Sequence, residues 1–185
     1  MLDTASVPLG VDDATLDRAR HGDREAFADL VREHQAMVFS IAYHFVGGRE
    51  VAEELAQDVF LRLFQHLQGI ESPAHLTFWL RRVASRCCID WFRQQRRKPE
   101  VVVGDLPEAP VSTQPRDVLL ERRVHRVVQE LTATARLVVT LKYQEDLDPA
   151  DIAAVLDVPV NTVKSHLRRS IELLRARLGG PEKRV

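Results

Sequence analysis

Residues 149–174 read PADIAAVLDVPVNTVKSHLRRSIELL. Asp148 and Pro149 are a cap residue and a first-turn proline, the pair that starts a helix. Ile152, Ala153 and Leu156 follow at helical spacing as an inward set. Asp157-Val158-Pro159 is a turn, because proline restricts its predecessor and removes a backbone donor. A second helix starts near Asn161-Thr162, where Asn161 is a fair cap, and runs to Leu178 before Gly179-Gly180. Val163, Leu167 and Leu174 share one side of it. Ala153 is small where two helices must cross closely. The pattern is a helix-turn-helix. The polar side of the second helix carries Thr162, Lys164, Ser165, His166, Arg168 and Arg169. Lysine and arginine reach guanine edges and phosphates, and serine and threonine serve either role, so this helix is a candidate for the major groove. An amphipathic hairpin with no DNA role has the same periodicity.

Upstream, the run PEVVVGDLPEAPVSTQP at 99–115 holds four prolines and a glycine. No helix crosses such a run, and it is long for a turn, so it reads as a linker. It divides the chain into residues 1–98, a linker at 99–116, and residues 117–185. Before it, helical periodicity predicts four helices. The first is short, with Leu16 and Ala19, and ends near His21-Gly22. The second follows Asp23 with Phe27, Leu30, Val31, Val38, Ile41, Ala42 and Phe45, and stops at Gly47-Gly48. The third runs from about Glu50 to Gln68 on Val51, Leu55, Val59, Leu63 and Leu67. The fourth runs from about Ala74 to Arg97, behind Ser72-Pro73, and should bury Leu76, Trp79, Leu80, Val83 and Cys87. After the linker, helices are expected at 118–131, with Leu120, Val124, Val127, Val128 and Leu131 apolar, and at about 134–143. Nothing shows sustained strand alternation. The fold class is all-α, in two small helical domains.

Two helices of the first segment carry chemistry. On the third, Glu54, Gln57 and Asp58 sit one turn apart on the outward face, while Leu55, Val59 and Leu63 face inward. Such a face accepts an arginine-rich partner helix, or is simply solvated. On the fourth, Phe78, Trp79, Trp91 and Phe92 stand among Arg81, Arg82, Arg86, Arg93, Arg96 and Arg97. Single-strand binding uses aromatic rings for bases and guanidinium groups for phosphates. The same rings also serve as core.

The 185 residues are 45% hydrophobic and 29% charged with a formal net charge of -1, which is ordinary globular composition and argues against a uniformly basic nucleic-acid coat. The basic residues are instead gathered into the fourth and last helices, two separate stripes that suggest two contacts to a polyanion. No membrane span is expected, since no apolar run approaches ~18 residues. The opening MLDTASVPLGVDDATLD carries acids where a secretory signal needs bases, so export is not expected. Cys87 and Cys88 are adjacent and cannot form a disulfide framework, which fits a reducing cytoplasm. There is no glycine-rich phosphate loop, HExxH or paired-cysteine metal spacing. The sequence therefore predicts no enzyme, catalytic residue, metal or cofactor. No long extension follows Gly180, so an added regulatory domain is not expected.

Three motifs in order carry a resemblance to the extracytoplasmic-function (ECF) sigma factors of bacterial RNA polymerase, within the sigma-70 family, covering about Arg24 to Leu178. ELAQDVFLRLF at 54–64 is similar to the family's polymerase-binding pattern, WLRRVASRCCIDWFRQQRRK at 79–98 to the segment that opens and reads the -10 element, and the helix-turn-helix to the part that reads the -35 element. The resemblance implies sigma domain 2 over 1–98 and sigma domain 4 over 117–185. It implies binding to core polymerase through Glu54, Leu55, Gln57, Asp58 and Arg62. It places -10 DNA at His75, Phe78, Arg82, Arg86 and Arg93, and -35 DNA at Thr162, Lys164, Ser165, His166, Arg168 and Arg169. Core RNA polymerase, promoter DNA and an anti-sigma factor are the implied partners, with no membrane insertion. The alternative is a helix-turn-helix regulator that never touches polymerase; it would need a dimer seam or a ligand domain, and the sequence offers neither.

Overall fold

A computed structural model describes residues 11–97 and 118–179, without the side chains of residues 118, 119, 121 and 122. Every regular element in it is helical: α1 (Asp13–Arg20), α2 (Arg24–Val46), α3 (Arg49–His66), α4 (Pro73–Arg97), α5 (Val118–Gln129), α6 (Ala133–Tyr143), α7 (Pro149–Leu156) and α8 (Val160–Leu178), with a 3₁₀ turn at Leu67–Gly69. The expected linker lies outside the described residues.

Caps set the boundaries. The Asp12 carboxylate accepts from Thr15 N at 2.8 Å and the Asp23 carboxylate from Glu25 N at 2.9 Å, meeting donors that the first turn leaves open. Gly47 ends α2 in the left-handed region, φ 80°, where glycine alone is free of strain. Ser72 Oγ accepts from His75 N at 3.1 Å ahead of Pro73, and Asp148 accepts from Ala150 N at 2.7 Å beside Pro149. Two boundaries differ from the sequence expectation. The α-helical part of α3 stops at His66 and tightens into the 3₁₀ turn. The last helix starts at Val160 with Pro159 in the cap position, so Asn161 is inside the helix and caps nothing.

Helices α1–α4 close around Leu30, Ile41, Phe45, Leu63, Leu76 and Leu80, all fully buried. Each such side chain is worth about 1.5–3 kcal/mol relative to exposure. The second half centres on Leu137, Leu141, Ile152 and Val163. These two sets belong to one continuous apolar core, because α2 packs against α5 and α6, and α4 against α6 and α7. A smaller cluster of Leu131, Ala135 and Val139 lies under α5.

Two core expectations are corrected. Trp79 is half-buried and stacks on His66, centroids 5.8 Å apart and planes at 13°. Leu120 is exposed on α5. Both positions fall on the edge of an apolar stripe, where neighbouring helices decide burial and periodicity does not.

Candidate nucleic-acid and partner interfaces

α3 lies on α2 and α4 through Ala52, Leu55, Val59 and Leu63, which turns Glu54, Gln57, Asp58 and Arg62 outward as exposed side chains. Leu55, at 7% exposure, belongs to the core and supports the face from beneath. The sequence reading missed Leu61, 57% exposed, and Phe64, 66% exposed. Leu61 stands seven residues after Glu54 and three after Asp58, so it continues the acid–amide stripe by one turn, beside Arg62. Phe64 meets the edge of Phe27 at 5.4 Å. The resulting surface is an acidic rim around exposed apolar area, a composition suited to burial by another protein.

On α4, Leu76, Leu80, Val83, Ala84, Cys87 and Cys88 are buried. His75 lies at the helix start, where its Nδ1 accepts from Glu71 N at 3.2 Å, and Phe78 is half-buried against the core. Arg86 is exposed, and Arg93 is exposed with Asp90 at 3.7 Å. Arg82 is already engaged: its Nη2 donates to Asp157 Oδ2 at 3.4 Å, in the turn between α7 and α8. Its neighbour Arg81 donates to Glu145 Oε2, also at 3.4 Å. Burial pushes the Glu145 carboxyl up, and Arg81 offsets this only in part. Trp91 and Phe92 pack onto the bundle, Phe92 edge-on to Phe45 at 6.2 Å.

α8 is held by α5, α6 and α7. Val163 and Ser170 are buried on that side, and Lys164, Arg168 and Arg169 are exposed on the other. Thr162, Ser165 and His166 are half-buried at its margin. No side chain caps the helix start, so backbone N–H groups of the first turn remain free of a side-chain acceptor, as a phosphate requires. Arg177, further along, pairs with Glu130 at 3.1 Å.

A third feature has no counterpart in the sequence reading. Arg136 of α6 is 3% exposed, and its guanidinium donates to the carbonyl oxygens of Phe45 at 2.9 Å, Gln129 at 2.5 Å and Leu131 at 3.4 Å. Phe45 is in the last turn of α2 and Gln129 ends α5. One cation therefore serves the negative ends of two helices, one in each half. It also lies over the rings of Phe45 and Phe92 at 5.1 and 5.4 Å. Burial lowers its pKa to about 10, so the group is charged at neutral pH. The available hint was an arginine in the otherwise apolar run LVVTL and its approach.

Burial also shifts three histidines and both cysteines. Burial lowers the pKa of His34, which contacts Thr77 Oγ1 at 3.3 Å, and of His44 and His125. Burial pushes the Cys87 and Cys88 thiols up, away from thiolate reactivity. Among the described residues no group of three or more His, Cys, Asp or Glu is placed to hold a metal ion, and no helix is long and apolar enough to cross a membrane.

Comparison with known proteins bears on both halves. Residues 30–98 match the family model for sigma-70 region 2, and residues 121–174 match that for sigma-70, region 4. The ECF RNA polymerase sigma factor SigW of Bacillus subtilis is 28% identical over 180 residues, spanning 87% of this chain and 93% of that protein. The ECF RNA polymerase sigma-E factor of Escherichia coli K12 is 26% identical over 176 residues, spanning 88% and 92%. Two solved structures share the fold. CnrH in complex with the cytosolic domain of CnrY has a TM-score of 0.68 at 22% identity, covering 92% of this chain and 99% of that one. RpoE of Bartonella quintana, in complex with the anti-sigma factor NepR, has a TM-score of 0.71 at 18% identity, covering 84% and 98%. Two family regions in their expected order, with relatives aligned over nearly the whole length, establish that the chain belongs to the sigma-70 family, among the ECF RNA polymerase sigma factors.

Proposed function

We propose that this chain acts in the cytoplasm as a non-enzymatic initiation factor that directs core RNA polymerase to promoters. Residues 1–98 form its polymerase- and -10-binding unit, 99–116 the connection, and 117–185 its -35-binding unit. The outward face of α3, with Glu54, Gln57, Asp58 and Arg62 around Leu61, docks on core polymerase. His75, Phe78, Arg82, Arg86 and Arg93 hold the separated strand at the -10 element, by ring stacking and phosphate pairing. Thr162, Lys164, Ser165, His166, Arg168 and Arg169 meet the -35 duplex. An anti-sigma factor is the expected regulator, as NepR is for RpoE.

The observation that supports this most is the orientation of α8. Its apolar side is anchored by Val163, while Lys164, Arg168 and Arg169 point to solvent behind a turn of the right length. The test is run-off transcription from a genomic library with core polymerase, with and without this protein. New, discrete start sites that depend on the protein are expected. A chain that binds duplex DNA but neither binds core nor yields such transcripts would be a regulator of another kind.

A further inference from the structure

The strand-binding side of α4 contains a ring that the functional assignment leaves out. His75, Trp79, Arg82, Arg86 and Arg93 follow one another at steps of four, three, four and seven residues, so they share one side of the helix. Phe78 stands one position off that row. The Trp79 indole packs against the core, and the His66 imidazole lies over it from α3. The two planes meet at 13° with centroids 5.8 Å apart, which is offset stacking and not an edge contact. His66 itself is exposed. It is the last residue of α3, and the chain on either side of it is pinned. Leu63, Leu67 and Ile70 are buried, and Gln68 Nε2 donates to the Arg20 carbonyl at 2.6 Å. A Cβ added at Gly69 would stand 3.5 Å from His66 Cδ2, so the turn also rests against the imidazole.

We propose that the His66–Trp79 ring pair is the base-stacking ledge of the separated-strand site, with His66 a binding residue that α3 supplies to it. The inference rests on the assignment of α4 to the opened promoter strand and deepens it. A base that leaves the duplex loses the neighbours on its two faces, and a flat aromatic surface replaces them. Arg82 and Arg86 supply charge for phosphates along the row. Trp79 lies one helical turn from Arg82, so a nucleotide whose phosphate meets Arg82 has its base within reach of the ring pair. The pair is also stiff. Each ring comes from a different helix, and neither rotates without unstacking the other, so little freedom is lost when a base arrives. His66 is the exposed member, which makes it the ring that meets the strand. Stacking accepts every base, because every base has a π-face, so the ledge holds the strand without specifying its sequence.

The test uses the full chain in complex with core polymerase, with core alone as the blank. Anisotropy measures binding of two fluorescent single strands of equal length, an oligodeoxyadenosine and an abasic strand that keeps the phosphates and lacks the bases. His66→Ala is expected to bind oligodeoxyadenosine about five- to thirtyfold more weakly than wild type. His66→Tyr keeps a ring and should stay within about twofold of wild type. On the abasic strand wild type and His66→Ala should bind alike, and their thermal midpoints should agree because the side chain is exposed. Equal affinities of the two proteins for oligodeoxyadenosine overturn the inference. A loss of the same size on the abasic strand overturns it too, since His66 would then support the fold or the phosphate contacts and not the bases. Arg82→Ala/Arg86→Ala separates the ledge from the wider reading, and should weaken both strands. If it does and His66→Ala does not, only the ledge is wrong. If it weakens neither strand, or the complex binds no more strand than core alone, the assignment of α4 to the opened strand has failed and the ledge with it.

Discussion

Arg136 donates to the backbone carbonyl of Phe45 across 91 positions of sequence, a hydrogen bond of 2.9 Å between two groups that the outside solvent does not reach. The same guanidinium closes the end of α5 through Gln129 and Leu131. We predict that Arg136→Ala lowers unfolding free energy by about 3 kcal/mol, since it strands buried carbonyls that cost about 1–3 kcal/mol each. Phe45 keeps Gln129 as a donor, so the loss falls mainly on the α5 end. Arg136→Lys should recover less than half, because an ammonium lacks the planar fork that reaches several acceptors. Urea unfolding of the three proteins measures this, and equal midpoints would refute it.

Gly47 and Gly22 make a controlled pair. Both have positive φ, 80° and 90°. A Cβ at Gly22 meets nothing within 4 Å, whereas one at Gly47 lies 2.9 Å from His125 Cε1 and 3.3 Å from Gln129 Nε2. Gly22→Ala should cost only backbone strain, about 1–2 kcal/mol. Gly47→Ala should cost more and should loosen the contact between α2 and α5. Trimming the obstacle with His125→Ala should remove the excess in a double-mutant cycle. Equal losses at the two glycines would show that the halves do not meet there in solution.

Acid should weaken the fold near neutrality. Burial depresses the pKa of His34, His44 and His125 below the ordinary 6.5; Glu33 opposes this at His34 while Arg81 adds to it, repulsion between the two imidazoles adds at His44, and Arg136 adds at His125. Below pH 6.5 the unfolded chain binds protons that the folded one refuses, so unfolding free energy rises with pH in that window. The stabilisation is complete above 6.5 and is lost as pH falls through the folded values. Each group contributes a slope of at most about 1.4 kcal/mol per pH unit. His125→Gln should flatten the slope of stability against pH. The helix-capping carboxylates Asp12, Asp23 and Asp148 have lowered pKa values, and their contribution disappears only below the ordinary carboxylate value of 3.8. A flat profile between neutrality and pH 5 would contradict the assignment.

The α3 face should separate folding from partner binding. Asp58→Lys reverses a rim charge and is expected to weaken core-polymerase affinity by ten- to a hundredfold, about 1.4–2.8 kcal/mol, with helicity unchanged. Leu61→Ala should weaken it comparably by removing exposed apolar area, whereas Leu55→Ala should instead destabilise the domain by about 2–5 kcal/mol as a core cavity. Titrations against core enzyme alongside thermal unfolding test all three. Unaltered affinity for Asp58→Lys and Leu61→Ala would move the interface elsewhere.

On α8, one or two cations should read bases and the others hold phosphates. Arg168→Ala or Lys164→Ala is expected to cost about 1–3 kcal/mol and relax preference at a single base pair. A phosphate contact such as Arg169 should weaken all duplexes alike and reduce the salt slope by about one unit. Arg177, paired with Glu130, should have little effect on sequence preference. Alanine variants measured against duplexes changed one position at a time distinguish these patterns, and uniform losses throughout would favour shape readout.

The sequence by itself determined the all-α class, the position of each helix to within a residue or two, and which side chains share the exposed faces of α3 and α8. These follow from local causes: apolar residues recurring every three to four positions, Asp23 and Asp148 as caps, Gly47 as a stop, and Pro149 and Pro159 as punctuation. Chemistry confined to one helix surface, such as Lys164, Arg168 and Arg169 opposite Val163, is legible because a helix fixes the relative direction of its own side chains. What only the tertiary structure decided involves contacts between residues far apart in the chain. Periodicity places Trp79 on an apolar edge, but its stacking on His66 depends on how α3 and α4 cross. The composition of α6 marks Arg136 as an odd charge, but only the meeting of α2 with α5 shows two helix ends awaiting one cation. Arg82 reads as a free phosphate ligand until Asp157 arrives from 75 residues away. Local sequence sets which way a side chain points from its own helix, and long-range packing sets what stands opposite it.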